Sequence, residues 1–257
     1  VIEIANKYIT RPGTLGEYFT GDDGAGCCTQ NEYYIHDTII DFSGLDIDEQ
    51  DEAAAVTLGA SACFERCLIR GAGKLFLCGA GNAETRHLEV DKTVSIRESV
   101  LEHFGRRGPE VQCGMFCDME RVVVKFWSDP DRFTVRGFGA WAHDGGRISA
   151  RDCIFWPYSE PTDIPFWQRV KDTANWIGES VNNDGLKALL DRKTYIPGRR
   201  RALVATSGGI VSARHCAFMN DSYTDSDVDP MSYPEISTLT RELNEMVYRL
   251  KLSLGVS

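Results

Sequence analysis

Three groups of side chains in this sequence have the types and spacing to do chemistry. Asp46, Asp48, Glu49, Asp51 and Glu52 crowd into the run D-I-D-E-Q-D-E. Carboxylates this close repel unless salt bridges or a cation neutralise them, and an oxygen-only donor set suits Ca²⁺ better than a transition metal. Lys74 stands in a Gly-rich turn, G-A-G-K, ahead of the strand-like L-F-L-C-G. Arg107 stands in a turn bounded by Gly and Pro, R-R-G-P-E. Taken singly, each is an ordinary solvated turn or surface ion pair. Gathered along one groove, a carboxylate-held cation, a lysine and an arginine would recognise an anionic ligand and stabilise negative charge developing on it.

Other familiar motifs are incomplete. G-A-G-K at 71–74 lacks the first Gly and the Ser/Thr of a phosphate loop. The acidic run lacks the Gly of a calcium helix–loop–helix site. C-x3-C at 63–67 and 113–117 has loose zinc spacing, with no histidine at the usual distance. No G-x-S-x-G elbow occurs. Asp118, Glu120, Asp129 and Asp131 could serve a hydrolase, which needs paired carboxylates, but they sit in no recognisable motif.

Positioning such groups falls to short strands that repeat. Four segments share a form: a strand with alternating apolar residues, a polar pair, Cys or Ser, then two mostly apolar residues. They are A-C-F-E-R-C-L-I (62–69), V-S-I-R-E-S-V-L (94–101), I-S-A-R-D-C-I-F (148–155) and V-S-A-R-H-C-A-F (211–218). R-V-V-V-K-F-W (121–127) adds a strand between the second and third. One strand-bearing unit every 25–32 residues or so is the mark of a solenoid, in which each coil buries its inward face only against its neighbours. Cys67, Cys153 and Cys216 should then occupy one corner, where small stackable residues fit. The expected fold is all-β, a single parallel β-helix domain over 1–257. A helical insertion is expected within 165–191, where Trp167, Val170, Ala174, Ile177 and Val181 fall at helical spacing. An amphipathic helix is expected over 232–255, with Ser232 and Glu235 at capping-box spacing and Pro234 in the first turn. It should pack along the solenoid flank or cover its open end.

A net charge of −10 excludes nonspecific nucleic-acid binding as the main role, because that needs an electropositive face. No run of 18 apolar residues is present, so no membrane helix is expected. Val1 opens the chain with no basic-then-apolar leader after it, as in a processed or trimmed form. Nine cysteines fit either a secreted protein with several disulfides and one free thiol, or a reduced one using Cys as a small buried hydrophobe.

The order of these pieces resembles the family-one pectate lyases. D-E-A-A-A (51–55) stands where that family has a D-x-x-x-D calcium segment, and G-K-L-F-L-C-G (73–79) where it has H-D-K-x-x-L-x-G. V-S-I-R-E-S-V-L is similar to its V-T-x-H-H-N-x-F strand, and R-G-P-E-V-Q-C-G (107–114) to x-R-x-P-x-x-R-x-G. The likeness covers about residues 36–220. It implies a right-handed parallel β-helix and a secreted, monomeric polysaccharide lyase acting on an acidic polysaccharide by calcium-assisted β-elimination.

The resemblance places Arg107 on the catalytic arginine and Lys74 on the lysine that holds the substrate carboxylate. Asp51 falls on the first aspartate of the calcium pair, while the second falls on Ala55. The calcium site would therefore recruit Asp46, Asp48 or Glu52. The family's second arginine, a substrate contact, falls on Gln112. In the implied reaction Ca²⁺ and Lys74 neutralise a uronate carboxylate and Arg107 takes the C5 proton, which requires neighbouring positive charge and burial to lower its affinity for protons. The alternatives are a non-catalytic β-helix that binds polysaccharide, and a β-helix glycoside hydrolase.

Overall fold

The computed structural model describes residues 1–11, 25–27, 31–45, 52–79, 84, 86–105, 107–127, 138–157, 201–219, 222–224 and 229–256. Period-two alternation sets its strands. In T-V-S-I-R, Val94 and Ile96 are fully buried while Arg97 is exposed, as a strand with one core face requires. Three seven-stranded sheets result. The first takes β1 (Ile2–Ala5), β4 (Glu32–His36), β7 (Ser61–Glu65), β10 (Thr93–Arg97), β13 (Phe116–Glu120), β16 (Arg147–Arg151) and β19 (Ile210–Arg214). The second takes β2 (Tyr8–Ile9), β5 (Ile39–Asp41), β8 (Leu68–Arg70), β11 (Val100–Phe104), β14 (Val123–Trp127), β17 (Ile154–Trp156) and β20 (Ala217–Phe218). The third takes β3 (Ala25–Cys27), β6 (Glu52–Val56), β9 (Lys74–Cys78), β12 (Glu110–Val111), β15 (Ala140–Ala142), β18 (Arg201–Ala205) and β21 (Tyr223–Thr224).

Every sheet thus takes each third strand, and the pairings are parallel, an arrangement consistent with a parallel β-helix. The repeated segments align in register as expected: Ile96 pairs with Phe64, and Arg151 with Arg214. The core consists of like side chains stacked from round to round, for example Ile40, Ile69, Leu101, Val124 and Phe155. Each buried side chain of this size stabilises by about 1.5–3 kcal/mol relative to exposure.

Two stacked corners turn the chain. Between the first and second sheets one residue per round is left-handed: Asn6, Asp37, Arg66, Glu98, Arg121, Asp152 and His215. After Asn6 comes the exposed Lys7, but in the other six rounds the next residue is buried, and where it is Thr, Ser or Cys it donates to the carbonyl two positions back. Thr38 Oγ1 reaches His36 O at 2.9 Å, Ser99 Oγ reaches Arg97 O at 2.6 Å, and the thiols of Cys67, Cys153 and Cys216 make the same contact at 3.4, 3.2 and 3.3 Å. The corner therefore selects small donors. The eight described cysteines are all free thiols, seven of them buried. Between the third and first sheets, Leu58-Gly59, Cys113-Gly114, Asp144-Gly145 and Ser207-Gly208 each place two consecutive residues at positive φ. Bonds such as Gly146 N–H to His143 O, at 2.8 Å, close these turns, which are therefore of type I′.

One short helix, α1 (Arg86–Glu89), precedes β10. The 22-residue helix α2 (Tyr233–Leu254) starts at Ser232 with the expected capping box and ends at a left-handed Gly255. Its Leu239, Leu243 and Leu250 cover Ile39, Leu68, Val100, Val123, Ile154 and Ala217, the first residue of successive strands of the second sheet. At about 1.5 Å per residue the helix is about 33 Å long; seven strands about 4.8 Å apart span about 29 Å. The helix is thus a strap along the flank. The stretch 165–191, expected to be helical, lies outside the described residues. No helix among the described residues is long and apolar enough to cross a membrane.

Candidate functional site

Glu52 opens β6, Lys74 opens β9, and the parallel register sets them side by side. Arg107 lies in the turn leading into β12, with φ of +60°. That turn is pinned from two sides: Phe76 N–H donates to Arg107 O at 2.6 Å, and a Cβ on Gly108 would stand 2.2 Å from the Phe104 ring. The guanidinium is thereby delivered to Glu52, with which it pairs directly, and Lys74 Nζ stands 3.9 Å from the same carboxylate oxygen. Lys74 and Arg107, far apart in sequence, meet at one acid.

The row continues across the sheet. Arg107 Nε is 2.9 Å from Glu110 Oε2; the N–H is not aimed at the oxygen, so this contact is ionic rather than a hydrogen bond. The other oxygen of Glu110 is 3.1 Å from His143 Nε2. Trp141, paired in register with Glu110, stacks its ring on His143 at 4.2 Å and donates its indole N–H to Thr206 Oγ1 at 2.8 Å. The row reads Lys74, Glu52, Arg107, Glu110, His143. The side chains of Glu52 and Glu110 are 4% and 8% exposed, against 20% for Arg107 and 26% for Lys74. The carboxylates therefore form the floor and the cations the rim.

Alternating charge is not peculiar to this place. On the second sheet Asp41, Arg70, Glu102 and Lys125 form a similar ladder, with Arg70–Asp41 at 2.7 Å and Lys125–Glu102 at 2.9 Å. There burial pushes the Asp41 carboxyl up, but Arg70 and Ser43 outweigh it and hold it below the usual range. Both rows have aromatic neighbours: Phe126 and Trp156 beside Lys125 on the second sheet, and Trp141 and Phe138, whose rings meet at 5.3 Å, on the third. A rim of cations beside aromatic faces can hold an anionic sugar, whose carboxyl meets the cations while its ring lies against the aromatics.

The other expected site residues fare differently. Gln112 does not join the row; its amide donates to Gly79 O at 2.6 Å and ties down the adjoining corner. Asp46, Asp48 and Asp51 lie outside the described residues. Glu52, the described member of the expected calcium set, already holds Arg107 and Lys74, and Ala55 brings no oxygen donor. Among the described residues no group of three or more His, Cys, Asp or Glu is arranged to hold a metal ion, and these residues alone do not fit a calcium site. Sequence reasoning missed Glu110 and His143. The i,i+3 spacing of Arg107 and Glu110 and the alternation in A-W-A-H were the signals that could have found them.

No protein-family model matches the chain, and no curated protein matches it.

Proposed function

We propose that this chain is a right-handed parallel β-helix that cleaves a uronate-containing polysaccharide by β-elimination at the row around Arg107. The observation that carries this is the convergence of Lys74 and Arg107 on one carboxylate, one from the start of β9 and the other from the turn leading into its neighbour β12. The substrate carboxyl faces Lys74, which stabilises the enolate-like charge that forms when the C5 proton leaves. The electron pair of that C–H bond becomes the C4–C5 double bond. The C4–O bond breaks, and the departing oxygen takes a proton from water. Arg107 is the group at the C5 proton; to take it, the side chain must leave Glu52 and Glu110, which hold it as a cation at rest, and give up one proton to water, so that a neutral guanidine receives the C5 proton. The protein on this reading is a secreted monomer acting on a polymer outside the cell. Calcium enters as an arm of the test, and no step is routed through it.

The test is incubation with polygalacturonate, alginate, glucuronan and ulvan, with added calcium or with chelator. Ultraviolet absorbance from an unsaturated uronate is expected with at least one polymer, and Arg107→Lys should abolish it. A fully active Arg107→Lys would remove Arg107 from the reaction. A second reading rests on the two buried carboxylates, Glu52 and Glu110, that flank Arg107: a glycoside hydrolase. New reducing ends without the absorbance would establish that reading. Retention on a polymer with neither signal would identify a binding protein.

A further inference from the structure

We infer that the two Ser-x-Arg units of β16 and β19 form a binding site for the sulfate ester of a sulfated polysaccharide. The site lies on the outer face of the first sheet, apart from the row around Arg107, and stands whether or not the lyase reading does. β16 and β19 share the sequence S-A-R. Register sets Ser149 beside Ser212 and Arg151 beside Arg214, while Ile148 and Ala150, with their partners Val211 and Ala213, pack into the core. Along the row that ends in these arginines, neighbouring strands oppose unlike charges: Glu65 and Arg97, Arg97 and Glu120, Glu120 and Arg151. The last step, from Arg151 to Arg214, opposes like charges. The adjacent row changes at the same place, from Asp118 to Ser149 and Ser212.

Like charges directly opposite one another destabilise a sheet whose strands lie only about 4.8 Å apart. An oxyanion between the two guanidinium groups turns that repulsion into two attractions. Arg151 is already anchored on one side, its Nη2 2.7 Å from Glu120 Oε1 and its Nε 4.0 Å from Asp152 Oδ2. Asp118, in register with Ser149, adds a third acid nearby. Arg214 is exposed and has no carboxylate partner among the described residues, so its forked donors remain to be used. The half-buried Ser149 and the exposed Ser212 each add a hydroxyl that can donate. A sulfate ester offers three terminal oxygens, enough for both guanidinium groups and a hydroxyl, where a carboxylate offers two. It carries a single negative charge, whereas a phosphate monoester carries about 1.5–2 near neutrality and meets Glu120, Asp118 and Asp152 at greater cost. Sites for small molecules bury most of their ligand; this open face suits an ester carried on a polymer that lies across the sheet. The chain's charge of −10 opposes any polyanion, so binding is local and weakens with salt.

The experiment uses one neutral backbone with different charged groups: dextran sulfate, dextran phosphate and carboxymethyl dextran at matched substitution, with plain dextran as the blank. Dissociation constants come from affinity electrophoresis of the full chain at low ionic strength. Dextran sulfate should bind more tightly than the other two by about tenfold, the size of one charge-assisted contact. Arg214→Gln should weaken that binding by about tenfold, and Ser149→Ala combined with Ser212→Ala by about threefold to tenfold. Arg97→Gln, which removes another exposed arginine of the same sheet, should leave it unchanged. No binding to dextran sulfate, equal affinity for carboxymethyl dextran, or an Arg214→Gln variant that binds as before would each overturn the inference. So would an equal loss from Arg97→Gln, which would show diffuse surface charge at work, and equal or tighter binding of dextran phosphate, which would exclude sulfate as the preferred group. Circular dichroism and thermal melting check the fold of each variant. Should Arg214→Gln fail to fold, Arg214→Lys, which keeps the charge and loses the fork, carries the comparison: weaker binding supports the site, and unchanged binding overturns it. Arg214→Gln leaves the row around Arg107 untouched, so the ultraviolet assay above tests the lyase reading separately.

Discussion

Arg107 Nε stands 2.9 Å from Glu110 Oε2 at the mouth of β12, while the same guanidinium pairs with Glu52 on β6. A cation between two buried acids ties three separate segments, and the turn carrying it is fastened to β9 through Phe76. The row is thus structural at rest, whatever ligand it meets.

Truncating one member should therefore cost stability as well as function. Glu52→Gln leaves Arg107 and Lys74 short of a buried counter-charge and should lower unfolding free energy by about 1–3 kcal/mol. A double-mutant cycle with Arg107→Met, read from urea denaturation, should give a coupling of about 0.5–3 kcal/mol. Strict additivity of the two substitutions would mean that the pair is not coupled in solution.

Glycines at the third-to-first-sheet corners are set by close approach as well as by φ. A Cβ on Gly146 would lie 2.1 Å from Val111 O, the carbonyl of the neighbouring round, and one on Gly209 would lie 2.2 Å from Ala142 O. Backbone cannot yield there without opening the stack. Gly44, by contrast, has nothing within 4 Å of the added carbon. Gly146→Ala should destabilise by about 1–3 kcal/mol, and Gly44→Ala should change stability by about 0.5 kcal/mol or less. Equal midpoints in thermal melts of the two variants would contradict the corner geometry.

Two histidines on the first corner predict how stability varies with pH. The Asp152 carboxylate, then Glu235, raises His215 above its ordinary range; Asp37, then Glu3, raises His36. Groups raised on folding contribute stability that is fully present below the unfolded value, about 6.5, and is lost as pH climbs through the folded value. Unfolding free energy should therefore decline from pH 6 upward. The depressed acids Asp37 and Glu235 act in the opposite sense, and only at acid pH below about 4. Chemical denaturation across pH 5.5–8.5 checks this: His36→Gln with His215→Gln should flatten the slope, and an unchanged slope would assign it to other groups.

The repeats were legible because parallel sheets that each take every third strand make equivalent positions face one environment. S-A-R-x-C-x-F reads the same at 148–155 and 211–218 since both copies place Ser outward, Ala inward and Cys at one corner. The meeting of Lys74 with Arg107 was legible for the same reason, through the order of strands. The role of Glu52 was not. A glutamate in an acidic run has the composition of a cation ligand, and only the register of β6 against β9 shows it facing two cations. Glu110 and His143 escaped because a pair on neighbouring strands is 33 residues apart in sequence. The x-Gly turns, L-G, C-G, D-G and S-G, were visible, but two-residue turns of this kind usually join hairpins rather than rounds of parallel strands.

The strap helix offers the cleanest separation of fold from site. Its apolar seam lies on the outer row of the second sheet, forming a cluster apart from the main core. Ion pairs fasten its polar flanks, Glu242 to Arg121 at 2.6 Å and Glu235 to His215 at 3.3 Å. Leu243 is 3% exposed, so Leu243→Ala removes buried methyl groups and leaves a gap that a helix on a flat sheet can partly close by settling. The expected cost is near the lower end of the usual range, about 2–3 kcal/mol. Because the seam makes few contacts with the inner stack, the loss should appear first as local release of the helix. Amides of 236–254 should then exchange faster with deuterium than those of β7, β10 and β13. Uniform acceleration across helix and strands would instead show that the strap and the sheets unfold as one cooperative unit.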